Sequence, residues 1–141
     1  MYIHLELCLL LTQHHHQHHR IVMTYLALDK STHDIIFPVG GGISRVGDGR
    51  FVVQQVKCKL STWLGEWVLD PRVGWITLSD LEKNFSLYEL EDRARKIILG
   101  TDGVQSISFI KVTYKSRKLT IEAEMQTIYG GIILTVPWGV Q

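Results

Sequence analysis

Leu119, Ile121, Ala123 and Met125 alternate with Thr120, Glu122, Glu124 and Gln126, and this pattern constrains the fold more than any other feature of the chain. Alternation with a period of two gives a strand with one buried face and one wet face. A strand of that kind needs partners at its edges and a second layer over its apolar side. The flanking sequence offers both partners. Ser106 to Lys115 is rich in Ile, Val, Phe and Tyr, and the "KSRK" turn follows it. Its apolar frame runs through 107 and 109, then shifts to 110, 112 and 114, which predicts a bulge near Phe109-Ile110. After Gly130-Gly131 a third strand, Ile132 to Val136, runs up to Pro137. These three segments read as an antiparallel meander.

The covering layer comes from two helical patterns. Phe51 to Leu64 places Val53, Val56, Leu60, Trp63 and Leu64 at helical spacing, with Gln54, Gln55, Lys57, Lys59 and Ser61 on the other faces. Gly65, free to take positive φ, is the expected terminator. The second helix opens at Ser86, where Glu89 three residues on predicts a capping box. Leu87, Leu90, Ala94, Ile97 and Ile98 form its apolar stripe, and Gly100 ends it. Glu89–Arg93, Glu91–Arg95 and Asp92–Lys96 are acid-before-base pairs one turn apart, the signature of a solvated helix face. Tyr25 to Phe37 reads as short extended pieces around a polar turn, and Glu66 to Asp70 as another short extended segment. The expectation is an α+β two-layer sandwich: a mainly antiparallel sheet with a C-terminal three-stranded meander and two main helices packed on one face.

At 141 residues the chain suits one domain with a real core. Its net charge of +1 and scattered basic residues give no electrostatic footprint for nucleic acid. The two cysteines, Cys8 and Cys58, lie in no metal or redox spacing, so Cys58 is expected to be a small apolar residue on its helix. "MYIHLELCLLLT" is too short to span a bilayer and lacks the parts of a signal peptide, so no membrane partner is expected. The "HHHQHHR" run places His14 with His18 and His15 with His19 on shared helix faces, enough for opportunistic zinc or nickel binding. The plainer reading of residues 1–22 is a disordered, histidine-rich extension before a single domain over 23–141, with Met23 as an alternative start. The glycine-rich "PVGGGISRVGDGR" matches neither phosphate-loop pattern and reads as a turn. No dedicated metal site and no cofactor are implied.

The stretch "LSTWLGEWVLDPRVGW", Leu60 to Trp75, gathers three of the four tryptophans around Glu66. A carboxylate among tryptophans can serve as a general acid, which raises a glycosidase reading with Asp70 as second carboxylate. On one extended segment the two Cα atoms would stand roughly 13 Å apart at about 3.3 Å per residue, long for such a pair. The competing readings are a tryptophan core with Glu66 capped locally, and a binding interface. Residue physics does not separate these two.

"VQQVKCKLSTWLGEWVLDPRVGW" resembles the signature segment of small baseplate wedge proteins from contractile phage tails, in particular the Mu-like branch. Val53, Gln55, Leu60, Thr62, Gly65, Glu66, Trp67 and Asp70 occupy the matching positions. "IILGTDGVQSISF", Ile97 to Phe109, and a hairpin carrying Arg117 near its turn continue the resemblance, which covers residues 33 to 136. The family includes the sheath-initiating wedge protein of T-even phages, labelled lysozyme-like, and its type VI secretion counterpart. The resemblance implies a non-enzymatic virion component of the tail baseplate, assembled in the bacterial host cytoplasm. It would dock on the core bundle of larger wedge subunits and template the first sheath ring by sheet-edge pairing, with tail tube or hub proteins as further neighbours. No catalytic residue is assigned. Glu66 would be the docking anchor, supported by Trp63, Gly65, Trp67, Asp70, Arg72 and Trp75. The pairing edge would be Ile132, Ile133, Leu134, Thr135 and Val136, or else the hairpin's outer strand. Other branches carry Glu-Pro-Arg where this chain has Glu66-Trp67-Val68, so only the glutamate carries over, and Arg72 is the nearby cation. The alternative is a murein hydrolase with Glu66 as general acid.

Overall fold

A computed structural model describes residues 25–32, 34–42, 44–77, 79–80, 86–116 and 118–138. The N-terminal extension with its histidine pairs, and Arg117, lie outside the described residues. The elements are β1 (Tyr25–Leu26), β2 (Arg45–Val46), α1 (Asp48–Ser61), α2 (Leu87–Leu99), β3 (Val104–Lys115), β4 (Lys118–Thr127) and β5 (Gly130–Trp138). β1 and β2 form a small antiparallel ladder, and β3, β4 and β5 form a second sheet in that order. This is the α+β sandwich expected from the sequence.

β4 is the sheet's centre, and its burial strictly alternates. Leu119, Ile121, Ala123 and Met125 are buried, while Glu122, Glu124 and Gln126 are exposed. Ile110 and Val112 of β3, with Leu134 and Val136 of β5, extend the same buried face. Val56 and Leu60 of α1 and Leu90, Ala94 and Ile98 of α2 close over it in one continuous core. Among the described residues nothing covers the other sheet face, where Glu122, Glu124, Gln126 and Ile133 are exposed. β3 shifts register twice, between Val104 and Ser106 and between Ile107 and Phe109, so the bulge falls just ahead of the expected position. The shift lets Ile107 and Ile110 both serve the core despite their odd separation.

The helices depart from expectation in several instructive ways. α1 begins at Asp48 and ends at Ser61, and Thr62 is already extended. Its buried residues are Phe51, Val52, Gln55, Val56 and Leu60, so the inward stripe is turned from the one the sequence suggested. Gln54, expected in solvent, uses its side-chain amide as a substitute strand. It accepts from Leu28 N–H at 3.1 Å and donates to Leu26 C=O at 3.0 Å. Cys58, expected as a small apolar residue, is disulfide-bonded.

Ser86 caps α2 with its backbone, but its side chain makes no capping bond. A reciprocal cap forms instead at Thr77 and Asp80: Thr77 N–H donates to Asp80 Oδ2 and Asp80 N–H to Thr77 Oγ1. Of the three acid–base pairs expected on α2, Asp92–Lys96 forms. Arg93 reaches Asp80 at 2.9 Å, and Glu91 turns toward the sheet. The Thr77 hydroxyl and N–H, then Arg93, hold the Asp80 carboxyl below the usual carboxylate range.

At the far end of α2, Lys59 Nζ donates to Thr101 Oγ1 at 3.3 Å, and that hydroxyl donates to Ile97 C=O. Burial pushes the Lys59 ammonium below its ordinary range, against the attraction of Asp102. A lysine with a lowered folded pKa binds fewer protons folded than unfolded, so stability rises with pH between the folded value and the ordinary 10.5. Lys59→Met is expected to keep the fold, raise the thermal midpoint by about 2–5 °C and flatten that alkaline rise. A lower midpoint in Lys59→Met, read by circular dichroism from pH 7 to 10, would show that the ammonium stabilises the fold instead.

Candidate functional site

The tryptophan–glutamate stretch folds as a loop clamped at its base. Trp75 N–H donates to Thr62 C=O at 3.1 Å and Leu64 N–H to Ile76 C=O at 3.0 Å, a parallel bridge between Trp63 and Ile76. This bridge explains why α1 stops at Ser61: the chain must be extended by Trp63 to make it. Gly74 sits inside the clamp with φ +123°, and a Cβ there would lie 2.4 Å from Trp63 O. No L-residue with a side chain fits that position.

Within the loop, Gly65 (φ +85°) completes a turn in which Glu66 N–H donates to Trp63 C=O at 3.1 Å. Trp63 N–H donates in return to Glu66 Oε2 at 3.2 Å. Glu66 therefore holds its own turn and is half-buried. Residues 66–70, expected as a short strand, instead run through successive turns, because the clamp brings both ends of the loop together. Asp70 starts the next turn, with Pro71 at its second position and Val73 N–H returning to Asp70 C=O at 3.1 Å.

Arg72 binds Asp70 with a two-pronged contact, Nε to Oδ1 at 2.9 Å and Nη2 to Oδ2 at 3.0 Å. Its backbone N–H adds a third bond to Oδ1. These bonds draw the Asp70 carboxyl below the usual range. The carboxylates of a two-acid mechanism thus have other work: Glu66 closes a turn, and Asp70 is neutralised by Arg72. The cation near Glu66 in sequence is spent on Asp70.

The tryptophans divide by burial. Trp75 is wholly buried and its indole Nε1–H donates to Leu90 C=O at 3.2 Å, tying the loop to α2. Trp67 is buried as well, and its Nε1–H finds no acceptor among the described residues. Trp63 is half-buried against the core. The outward residues of the corner are Val68 at 87% exposure and Leu69 at 66%, which the sequence did not single out, and Leu64, which was expected on the apolar stripe of α1 but lies past its end. An apolar residue next to a buried tryptophan carries no sequence mark of pointing outward; only the turn sequence decides it.

The second candidate surface is the rim of the main sheet. Val112 N–H points away from β4, since it donates to Glu91 Oε1 of α2 at 3.0 Å. In an antiparallel ladder, alternate residues turn their backbone groups to opposite sides. Ile121, opposite Val112, therefore faces β5, where it pairs with Val136, as Ala123 does with Leu134 and Met125 with Ile132. The intervening residues of β5, Gly131, Ile133 and Thr135, direct N–H and C=O outward, and Pro137 offers a carbonyl alone. Of the expected edge residues, Leu134 and Val136 are buried in the core. Ile133 is 81% exposed and Thr135 is exposed on the outer face.

A sheet whose β5 edge is unpaired among the described residues, together with an exposed apolar corner, suits a structural assembly module. Comparison with protein families is specific: the chain belongs to the contractile injection system sheath initiators, whose family model matches residues 24–130. A search of curated proteins returned no significant match. The protein has a structural role in assembly of a contractile tail sheath.

The clamp makes a direct test of the loop geometry. Gly74→Ala is expected to cost about 3 kcal/mol or more, since positive φ and a backbone collision act together. Gly65→Ala, also at positive φ but with nothing within 4 Å, is expected to cost only ~1–2 kcal/mol. Urea unfolding of the two variants checks the difference, and equal losses would contradict the clamp.

Proposed function

We propose that this chain docks on the core bundle of larger baseplate wedge subunits through its tryptophan corner, and templates the first sheath ring along β5. The observation that carries the reading is the character of that strand's edge. β5 runs nine residues with no charged side chain and no register shift against β4. Its outward N–H groups at Gly131, Ile133 and Thr135 are the donors that strand addition requires. Long apolar edges of this kind are normally defended in proteins that stay alone.

The corner supplies the other contact. Val68 and Leu69 form its apolar tip, on a loop stiffened by the Gly74 clamp and the Asp70–Arg72 pair. A rigid apolar tip rimmed by an ion pair has the anatomy of an interface centre with a polar surround. Glu66 is the anchor within it: Oε2 holds Trp63 N–H, and the second carboxylate oxygen is the acceptor for a donor on the wedge bundle. Trp63, Gly65, Trp67 and Trp75 support the corner from beneath. The location that follows is the tail baseplate of a virion built in the host cytoplasm, with sheath and wedge subunits as partners.

Two substitutions separate the two contacts. Thr135→Pro removes one outward donor of β5 while leaving its bonds to β4 intact. It is expected to enter baseplates yet abolish sheath extension from them, seen as bare tubes by electron microscopy. Glu66→Ala is expected to lose about 1 kcal/mol of stability and to be missing from purified baseplates. Normal sheaths in Thr135→Pro, or normal incorporation of Glu66→Ala, would overturn the corresponding contact.

A further inference from the structure

The two edges of the main sheet are built in opposite ways. β5 presents outward donors and no charge. β3 has two register shifts, Lys111 and Lys115 among its exposed residues, and α2 lying against it. In the middle of β3, where a straight edge would offer Val112 N–H to an incoming strand, Glu91 Oε1 already accepts that hydrogen at 3.0 Å. Glu91 is half-buried between helix and sheet, and Val112 is buried. Its expected helix partner Arg95 would have kept this carboxylate in solvent; the structure spends it on a sheet backbone 21 residues away instead.

We infer that Glu91 is a specificity-determining residue: it closes the β3 edge, so the sheet accepts a partner strand at β5 alone. A template open on both edges could pair with a second copy of itself or start assembly in two directions. A template with one closed edge starts it in one. The inference rests on the strand-acceptor reading of β5 given above. The occupant of the opened β3 edge is a second copy of this chain, because β3 would then present its own backbone donors to an identical neighbour.

Closure by Glu91 is a matter of hydrogen-bond acceptance, not of charge, so Glu91→Gln retains it and Glu91→Ala removes it. The full chain carrying Thr135→Pro, which blocks β5, is the background for the test. In that background the protein is expected to sediment as a monomer. Adding Glu91→Ala is expected to give self-association that grows over a tenfold rise in concentration, whereas adding Glu91→Gln leaves the monomer. Hydrogen exchange at the Val112 amide is expected to quicken at least tenfold in Glu91→Ala and to stay slow in Glu91→Gln.

A folded, monomeric Glu91→Ala/Thr135→Pro protein would overturn the inference. So would a wild-type Val112 amide that exchanges as fast as those of Ile133 and Thr135. Should Glu91→Ala fail to fold, exchange in the wild type and in Glu91→Gln decides: slow at Val112 in both sustains the edge closure, fast in either ends it. Sheath extension by Thr135→Pro tests β5, while self-association of the β5-blocked protein tests Glu91, so either reading can fail alone.

Discussion

Trp75 is the joint on which the two layers and the corner depend. Its indole is wholly buried among Val56, Leu60, Leu90 and Ala94's helix layer, and its Nε1–H is bound to the Leu90 carbonyl. Its own backbone N–H holds Thr62 at the end of α1. One residue thereby fixes the end of the first helix, the start of the second and the base of the tryptophan loop. Burial of so large an aromatic supplies the energy, and the indole hydrogen bond supplies the direction. Loops placed this way can be rigid without being buried, because their ends are.

That rigidity is what the two proposed contacts would require. The corner is held at its base by backbone bonds across Trp63 and Ile76, and stiffened at its far side by Asp70 and Arg72. The sheet edge is held by β4, whose alternating burial leaves no freedom of register: a slip by one residue would drive Glu122 and Glu124 into the core. Corner and edge are separate elements fixed to a common core. Binding at either one, as proposed, would need little ordering of the chain, which lowers the entropic cost of assembly.

Much of this was legible in the residues. The meander followed from period-two alternation, the helices from 3.6-residue spacing, and the two-layer arrangement from the need to cover a single apolar face. The family resemblance rested on Gly65, Glu66, Trp67 and Asp70 in their spacing, and the family match spans most of the chain. The misreadings of polar side chains are local and share one cause. Ser86 and Glu89 have the composition of a capping box, but the reciprocal cap formed at Thr77 and Asp80, where Arg93 adds a third partner. Gln54 looked solvent-facing until the backbone of β1 came within reach of its amide. In each case a polar side chain had two possible partners, one near in sequence and one brought near by folding.

The sequence by itself determined the layers, because hydrophobic periodicity is a property of the chain and burial of apolar surface dominates the energy of folding. It also determined where the chain must turn, since Gly74 is free to take positive φ and Pro71 fixes its own φ. Only the tertiary structure decided which outward groups stay available. Whether Glu91 pairs along its helix or reaches the backbone of β3, and whether Trp67 or Val68 faces out, depend on contacts between segments far apart in the chain. Those contacts are settled by hydrogen bonds of similar strength competing for one group, and spacing along a sequence does not rank them.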